Sequence, residues 1–162
     1  MKILVIGGNR FVGKKLVNRL INESYEVTVL NRSGTGPNGV TKIKFDRNKK
    51  SNYSLIDFTK FDCIVDMCLF KPEQFELIKD SIPTDTNYIF VSSGAVDYIH
   101  TNSFGDYAIE KMGVEKALSE TDLNYKIIRP SYIVGIGNHR PRLGYYISQL
   151  KNQKSIAVDG VG

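Results

Sequence analysis

The chain has 162 residues, enough for one domain with a substantial core, and 41% of them are hydrophobic and 24% charged, as in ordinary globular proteins. A formal net charge of +5 is compatible with an anionic ligand such as a nucleotide or RNA, but it does not by itself indicate one. No apolar run approaches the roughly 18 residues of a membrane span, and no charged leader precedes an apolar segment. We therefore expect no membrane span, no signal peptide and a cytoplasmic location.

Short runs rich in Val, Ile and aromatic residues are typical of buried strands. They occur at 2–7, 25–31, 40–45, 61–70, 87–93 and 125–130. Helices are predicted after the first run, where apolar residues recur at helical spacing, and at 72–81, 104–121 and 142–152. Because parallel strands need helix-length connections, this alternation predicts a doubly wound parallel α/β sheet with helices on both faces.

Two further features predict no special site. Cys63 and Cys68 lie in one apolar stretch without CxxC spacing or neighbouring histidines, so we expect free thiols in a reducing compartment and no metal site. The basic stretch 42–50 is expected to be a solvated loop, with RNA binding as the alternative. Aromatic residues do not alternate with its charges as a base-stacking surface requires.

The segment VIGGNRFVG, residues 5–13, is a glycine-rich turn that follows the first strand and opens the first helix. This is the context in which such turns bind the pyrophosphate of a dinucleotide. Gly13 falls in the first helical turn, where a missing side chain lets helix and strand approach closely. Arg10 occupies the place of the usual middle glycine. An ordinary tight turn is the alternative interpretation.

The second strand ends at Asn31, 18 residues after Gly13, where dinucleotide-binding folds contact the adenosine ribose. The sequence has no carboxylate there, and Arg32 follows Asn31. An arginine suits the additional 2′-phosphate of NADP, and Arg10 can reach the same group. We therefore favour NADP(H) over NAD(H), the alternative being that both arginines are solvated surface residues.

A tyrosine and a lysine are spaced i, i+4 on the predicted helix 104–121, so Tyr107 and Lys111 share one face. A neighbouring ammonium favours the phenolate, which makes Tyr107 a candidate general acid/base. Ser92 and Ser93 follow the preceding strand at the carboxyl edge of the sheet, where α/β sheets bind ligands. An exposed helical face is the alternative interpretation of the Tyr–Lys pair.

Four segments in order resemble one family. GGNRFVG resembles the GGTGFIG turn, and YAIEKMGVEKAL the YGxxKxxxE helix, of the extended and atypical NAD-dependent epimerase/dehydratase branch of the short-chain dehydrogenase/reductase superfamily. NYIFVSSGAV is similar to its strand with the active-site serine, and IIRPSYIVGIGN to its RPxxVYGPGD segment. The resemblance covers nearly the whole chain and implies a Rossmann fold.

The resemblance also implies roles for individual residues. Tyr107 is the expected catalytic acid/base, Lys111 binds the nicotinamide ribose and tunes Tyr107, and Ser93 orients the substrate oxygen. The expected cofactor contacts are the turn Gly7, Gly8, Asn9, Arg10, Phe11, Val12 and Gly13, then Asn31 and Arg32 at the adenosine, Asp46 at the adenine, and Met67, Cys68 and Lys111 along the groove. Arg129 and Pro130 are expected below the nicotinamide in a structural role.

The chain departs from the family pattern in two ways. Only 14 residues separate Ser93 from Tyr107, and Asp97 stands where the family often has a tyrosine, so catalytic competence is an open question. Extended members are also about twice as long and carry a C-terminal substrate lobe. We expect one NAD(P)-binding Rossmann domain over 1–162, in which 136–162 begins a lobe that is absent or truncated.

Two functions of different class follow from the sequence. The first is an NADP(H)-dependent oxidoreductase or epimerase that acts through Tyr107, Lys111 and Ser93 on a nucleotide sugar or a small carbonyl or hydroxyl compound. The alternative is a noncatalytic regulatory module that binds NADP(H) or RNA. Small-molecule substrates and homo-oligomers are the expected partners, and no membrane partner is expected.

Overall fold

The computed structural model describes residues 1–101, 104–138 and 142–155. Its strands are β1 (Lys2–Ile6), β2 (Glu26–Asn31), β3 (Thr41–Lys44), β4 (Cys63–Asp66), β5 (Asn87–Val91) and β6 (Tyr125–Ile128). Its helices are α1 (Phe11–Asn22), α2 (Pro72–Glu76), α3 (Asp106–Ser119) and α4 (Arg142–Lys151). Short 3-10 segments lie at Lys50–Leu55, Phe58–Lys60, Lys79–Ser81 and Gly94–Thr101.

The six strands form one parallel sheet in the order β3-β2-β1-β4-β5-β6. The chain first moves outward from β1 to β3 and then returns to β4 on the other side, as in a Rossmann fold. Ile6 is in register with both Leu30 and Asp66, so the carboxyl ends of β1, β2 and β4 lie side by side. The predicted doubly wound parallel sheet is confirmed.

Both faces of the sheet are buried, and the alternation of side chains along β1 shows it. Ile3 and Val5 belong to the apolar cluster that includes Val17 of α1. Leu4 and Ile6 belong to the larger cluster on the opposite face, which includes Val114 of α3. Because successive side chains of a strand point to opposite faces, a continuous apolar run is what a two-sided strand requires.

Two predicted elements have different bounds in the structure. The strand predicted at 61–70 comprises only Cys63–Asp66, because the Asp66 carboxylate accepts the backbone N–H of Cys68 and the chain turns away from the sheet. The helix predicted at 72–81 ends its α-helical part at Glu76 and then tightens, with the N–H of Ile78 donating to the carbonyl of Phe75. The other elements with predicted bounds differ from them by at most about two residues at each end.

The chain divides into two compact units, Met1–Tyr132 and Ile133–Gly162. The first contains the whole sheet and helices α1 to α3, and the second contains α4, on which the rings of Tyr145 and Tyr146 stand edge to face. The predicted lobe segment 136–162 falls in the second unit, and its residues 139–141 and 156–162 lie outside the described residues. Over the described ranges, no helix combines the length and apolar character needed to cross a membrane.

Candidate cofactor and active site

The glycine turn brings the start of α1 against the end of β1. Gly7 has a φ of +95°, which favours glycine, and its N–H donates to the carbonyl of Leu30 at 2.9 Å. A Cβ on Gly13 would lie 2.5 Å from the carbonyl oxygen of Gly7, so only glycine lets the helix approach this closely. The first turn of α1 contains no acidic residue, and its N–H groups lack intrahelical acceptors. This cradle fits the pyrophosphate of a dinucleotide.

The loop after β2 is organised around the side chain of Asn31. Its Oδ1 accepts from the N–H of Ser33 at 3.1 Å and of Thr35 at 3.2 Å, and its Nδ2 donates to the Thr35 carbonyl at 2.6 Å. Asn9 of the glycine turn donates to Ser33 Oγ at 3.1 Å, which ties this loop to the turn. The Asn31 amide is thus occupied by its own loop, whereas Arg32 is exposed and forms no ion pair with any described residue.

A cleft of about 430 Å³ opens beside this loop. It is lined by Asn9, Lys14, Thr35, Gly36, Pro37 and Asn38. Lys14, in the first turn of α1, gives the cleft a cation in its lining, and the exposed Arg10 lies at the N-cap of the same helix. Both features favour an anionic ligand at this end of the site.

A buried ion pair joins the segment after β3 to the end of β4. Arg47 is only 7% exposed, and its Nη2 donates to both oxygens of Asp66 at 2.8 and 2.7 Å. Tyr88 also donates to Asp66, at 3.0 Å. Burial disfavours the charged guanidinium, but the Asp66 carboxylate outweighs it and raises the pKa of Arg47 above its usual range. Arg47 Nε and Nη1 are buried without a hydrogen-bond partner among the described residues.

The prediction that residues 42–50 form a solvated loop is wrong in part. Lys42 and Lys44 belong to strand β3, and Arg47 is buried because it pairs with Asp66. Asp46, the expected adenine contact, is partly buried and lies two residues after the end of β3. Its carboxylate accepts the N–H of Asn48 at 3.1 Å. An acidic residue inside an apolar strand requires a partner, so Asp66 was the signal in the sequence that pointed to such a pair.

Lys111 is almost fully buried where α3 meets the sheet. Its Nζ donates to the carbonyls of Leu69 at 2.7 Å and Val91 at 2.9 Å. The ammonium lies 4.8 Å from the ring centres of both Phe70 and Phe90, within the range of cation–π attraction. Burial lowers the pKa of Lys111 from 10.5 to about 8.

Tyr107, one turn before Lys111, is 40% exposed, and its ring lies 6.5 Å from that of Phe70. Phe70 thus contacts both members of the predicted Tyr–Lys pair. Tyr107 is thus open to solvent, whereas Lys111, one turn further along α3, is buried. The catalytic role of the pair stays a prediction.

The two serines after β5 have different surroundings. Ser92 is buried and donates to Glu115 of α3 at 2.5 Å, whereas the half-buried Ser93 accepts the N–H of Ala95 at 3.2 Å. Burial opposes ionisation of Glu115, but hydrogen bonds from Arg129 and Ser92 outweigh it and lower the pKa of Glu115 below its usual range. Within the described residues, no hydrogen bond joins Ser93 to Tyr107.

Arg129 joins α3 to the segment after β5. Its Nε donates to Glu115 at 3.0 Å and its Nη1 to Asp97 at 2.6 Å. Asp97 therefore has a partner of opposite charge. The sequence analysis did not predict this network. Its signal was three charged residues, Asp97, Glu115 and Arg129, in the segments that follow β5 and β6 and in α3.

The remaining expected groove residues lie beside the glycine turn. A Cβ on Gly7 would meet Cys68 Sγ at 3.1 Å and Met67 Cβ at 3.6 Å, so both residues after β4 line the turn. Cys63 and Cys68 are free thiols, and burial raises the pKa of Cys68 to about 11. In the described ranges, no group of His, Cys, Asp and Glu side chains could hold a metal ion.

The chain is similar to known proteins both in sequence and in fold. The chain is 28% identical to the chloroplast stem-loop binding protein of 41 kDa b from Arabidopsis thaliana over 192 aligned residues, which cover 99% of this chain and 50% of that protein. It spans about half the length of this curated relative.

Solved structures share the fold at low sequence identity. The Bordetella bronchiseptica enzyme WbmH in complex with NAD+ matches with a TM-score of 0.72 and 15% identity, over 94% of this chain and 63% of that one. UDP-glucuronic acid 4-epimerase from Bacillus cereus, in complex with NAD, matches with a TM-score of 0.67 and 17% identity, over 95% of this chain and 63% of that one.

UDP-glucose 4-epimerase from Thermotoga maritima, with UDP-glucose, matches with a TM-score of 0.68 and 17% identity, over 100% of this chain and 67% of that one. The model of the NAD dependent epimerase/dehydratase family matches residues 3–88, which carry the glycine turn, the Arg47–Asp66 pair, strands β1 to β4 and the start of β5. The chain belongs to the NAD dependent epimerase/dehydratase family.

Proposed function

We propose that the protein is an NADP(H)-dependent oxidoreductase or epimerase that acts on a nucleotide sugar or a small carbonyl or hydroxyl compound. The observation that carries this proposal is the arrangement of Tyr107 above the buried Lys111, with Phe70 against both. In the same unit, the glycine turn at the end of β1 supplies a cradle that fits a pyrophosphate.

The preference for NADP(H) rests on the charge at the end of β2. The position that would bind a ribose 2′-hydroxyl through a carboxylate is Asn31, and its amide is occupied by Ser33 and Thr35. Arg10 and Arg32 are exposed cations, and each is adjacent in sequence to one residue of the Asn9–Ser33 contact. A 2′-phosphate bound by them would gain charge-assisted hydrogen bonds that a 2′-hydroxyl cannot make.

The nicotinamide, when bound, supplies hydride transfer. The phenol oxygen of Tyr107 then holds or releases the proton of the substrate hydroxyl, with Ser93 orienting the same oxygen. The Lys111 ammonium has three N–H donors, and the carbonyls of Leu69 and Val91 take two of them. The third is left for the nicotinamide ribose.

The substrate class is supported by the matched structures. Two of them are epimerases of UDP-glucuronic acid and UDP-glucose by name, which makes UDP-sugars the first compounds to test. The proposed cytoplasmic location fits the free thiols Cys63 and Cys68. We also propose self-association, which sedimentation of the purified chain tests directly.

The experiment measures turnover of UDP-glucose and UDP-glucuronic acid with each dinucleotide, in the wild type and in Tyr107→Phe. Removing the phenol hydroxyl should lower turnover by about 100-fold or more while dinucleotide binding persists. Tyr25→Phe is the matched control, since Tyr25 has similar exposure but precedes β2 at the opposite end of the sheet. Full turnover by Tyr107→Phe would refute the mechanism.

A second candidate is a noncatalytic module that binds RNA, and a basic surface favours it. Gly34 lies against Lys44, and Gly36 against the side chain of Lys42, so the loop after β2 joins both lysines to the cleft lined by Lys14. The three lysines are exposed and form no ion pair with described residues. The relative from Arabidopsis thaliana is named for stem-loop binding.

This candidate predicts steeply salt-dependent binding of an RNA stem-loop, because each phosphate contact releases a counterion. Replacing Lys42 and Lys44 by glutamate should weaken binding and flatten the salt slope, whereas Lys116→Glu on α3 should do neither. Filter binding across salt concentrations decides the matter. Binding that does not respond to salt, or that persists unchanged in the Lys42/Lys44 variant, rules the RNA function out.

A further inference from the structure

We propose that Gln74 is a positioning residue that ties the segment bearing Asp46 to the segment bearing Phe70, and so holds the two ends of the cofactor site together. The inference rests on the proposed function together with the expected contact of Asp46 with the adenine, and Phe70 lies beside Tyr107 and Lys111. Gln74 belongs to the short helix α2 and carries no motif that links it to a cofactor.

One half of the Gln74 amide holds the adenine side. Its Nε2 donates to Asn48 Oδ1 at 2.9 Å, across 26 residues of sequence. The backbone N–H of Asn48 in turn donates to the Asp46 carboxylate at 3.1 Å, so the position of Asn48 sets the direction of that carboxylate. Arg47 lies between Asp46 and Asn48 in sequence, and its hydrogen bond to Asp66 holds this segment against the sheet.

The other half of the amide holds the Tyr–Lys side. Gln74 Oε1 accepts the N–H of Phe70 at 3.0 Å and of Lys71 at 3.3 Å. The Phe70 ring lies over the Lys111 ammonium and beside the Tyr107 ring. Lys71 Nζ lies 2.9 Å from the Glu110 carboxylate of α3, which fixes the same segment a second time.

Helix capping accounts for only half of this geometry. A Gln or Glu at the third helical position commonly accepts from the backbone at the helix start, and the oxygen of Gln74 does so. A glutamate would serve that purpose equally well but could not donate to Asn48. The amide nitrogen is therefore the part of Gln74 that capping does not use, and it is the part that reaches the adenine side.

The test separates these two halves by substitution. Gln74→Glu keeps the acceptor and removes the donor, and Asn48→Ala removes the acceptor of the bridge without adding charge. Asn124→Asp is the matched control, since it removes a 3.1 Å amide–amide hydrogen bond to Asn87 at the opposite end of the sheet and adds one negative charge. The probe is ADP-ribose, titrated by calorimetry, with the melting temperature of each unliganded variant measured alongside.

Each bridge variant should bind ADP-ribose about fivefold more weakly, the effect of one hydrogen bond between neutral groups. The double variant should be no weaker than either single one, because both remove the same contact. Gln74→Glu, Asn48→Ala and Asn124→Asp each lose one amide hydrogen bond, so their melting temperatures should fall by similar small amounts, whereas Asn124→Asp should bind ADP-ribose normally.

The alternatives lead to different results. If the wild type binds ADP-ribose and Gln74→Glu and Asn48→Ala bind it equally well, the positioning role is wrong and the proposed function stands. Additive losses in the double variant, or an equal loss of affinity in Asn124→Asp, would also overturn it. If the wild type does not bind ADP-ribose, the inference fails, and if it binds neither dinucleotide as well, the proposed function fails with it.

Discussion

Lys111 makes the stability of the fold depend on pH in a direction opposite to that of an ordinary paired lysine. Burial of its ammonium lowers the pKa from 10.5 to about 8 in the folded protein. Between these two pH values the unfolded chain binds a proton that the folded protein does not. Stability must therefore rise as pH increases through this range, and the full penalty of the buried charge is present below pH 8.

The size of the effect follows from the two pKa values. Integrating the linkage relation between them, Lys111 should add about 2.5 kcal/mol to the free energy of unfolding from pH 7 to pH 10. The buried phenol of Tyr88 and the thiol of Cys68 have raised pKa values and act in the opposite direction at alkaline pH. For this reason the contribution of Lys111 is isolated only by the difference in free energy of unfolding between the wild type and a variant that lacks this lysine.

The perturbation is Lys111→Met, and the assay is urea unfolding of both proteins at intervals from pH 7 to pH 10. The free energy of unfolding of the wild type minus that of the variant should rise by about 2.5 kcal/mol over this interval. Lys116→Met is the control, because Lys116 is an exposed lysine of the same helix and its substitution should leave a flat difference. A flat difference for Lys111→Met as well would refute the account of its burial.

Two further predictions concern the cofactor side. Gly13→Ala places a methyl group 2.5 Å from the Gly7 carbonyl oxygen, so it should cost about 1–3 kcal/mol of stability and weaken dinucleotide binding by about tenfold or more. Thermal unfolding and calorimetric titration check both, and normal affinity would contradict the proposed cradle. Arg47→Met leaves the Asp66 carboxylate buried without its cation and should cost about 3–5 kcal/mol in urea unfolding. A loss below about 1 kcal/mol would contradict the account of Arg47 as the partner that Asp66 needs in the core.

The fold was predictable from the sequence because its signals are local. The continuous apolar run of β1 indicates burial on both faces, and the glycines and Arg10 between β1 and α1 mark the turn. The end of β4 was not predictable from apolarity. Phe70 and Leu69 continue the hydrophobic run, but the Asp66 carboxylate bonds to the N–H of Cys68 and turns the chain. This competition between a side chain and the strand ladder is invisible to a count of apolar residues.

The candidate site also combines features that were visible in the sequence with features that only the fold creates. The i, i+4 spacing of Tyr107 and Lys111 was visible in the sequence, whereas their shared contact with Phe70 was not. The partners in the pairs that support the site were not predictable, because Arg47 and Asp66 are 19 residues apart and Gln74 and Asn48 are 26 apart. The position of Asp66 in an apolar strand indicated only that it needs a partner. Such pairs depend on the strand order, which a single sequence does not specify.

The central claim is that the glycine turn and its basic surroundings bind a dinucleotide that carries a 2′-phosphate. The most direct test compares the rise in melting temperature caused by NADPH and by NADH, in the wild type and in Arg32→Ala. We predict a larger rise with NADPH, and that Arg32→Ala removes this difference while the rise with NADH remains. Equal rises in the wild type would contradict the role of Arg32, and no rise with either dinucleotide would contradict the whole account.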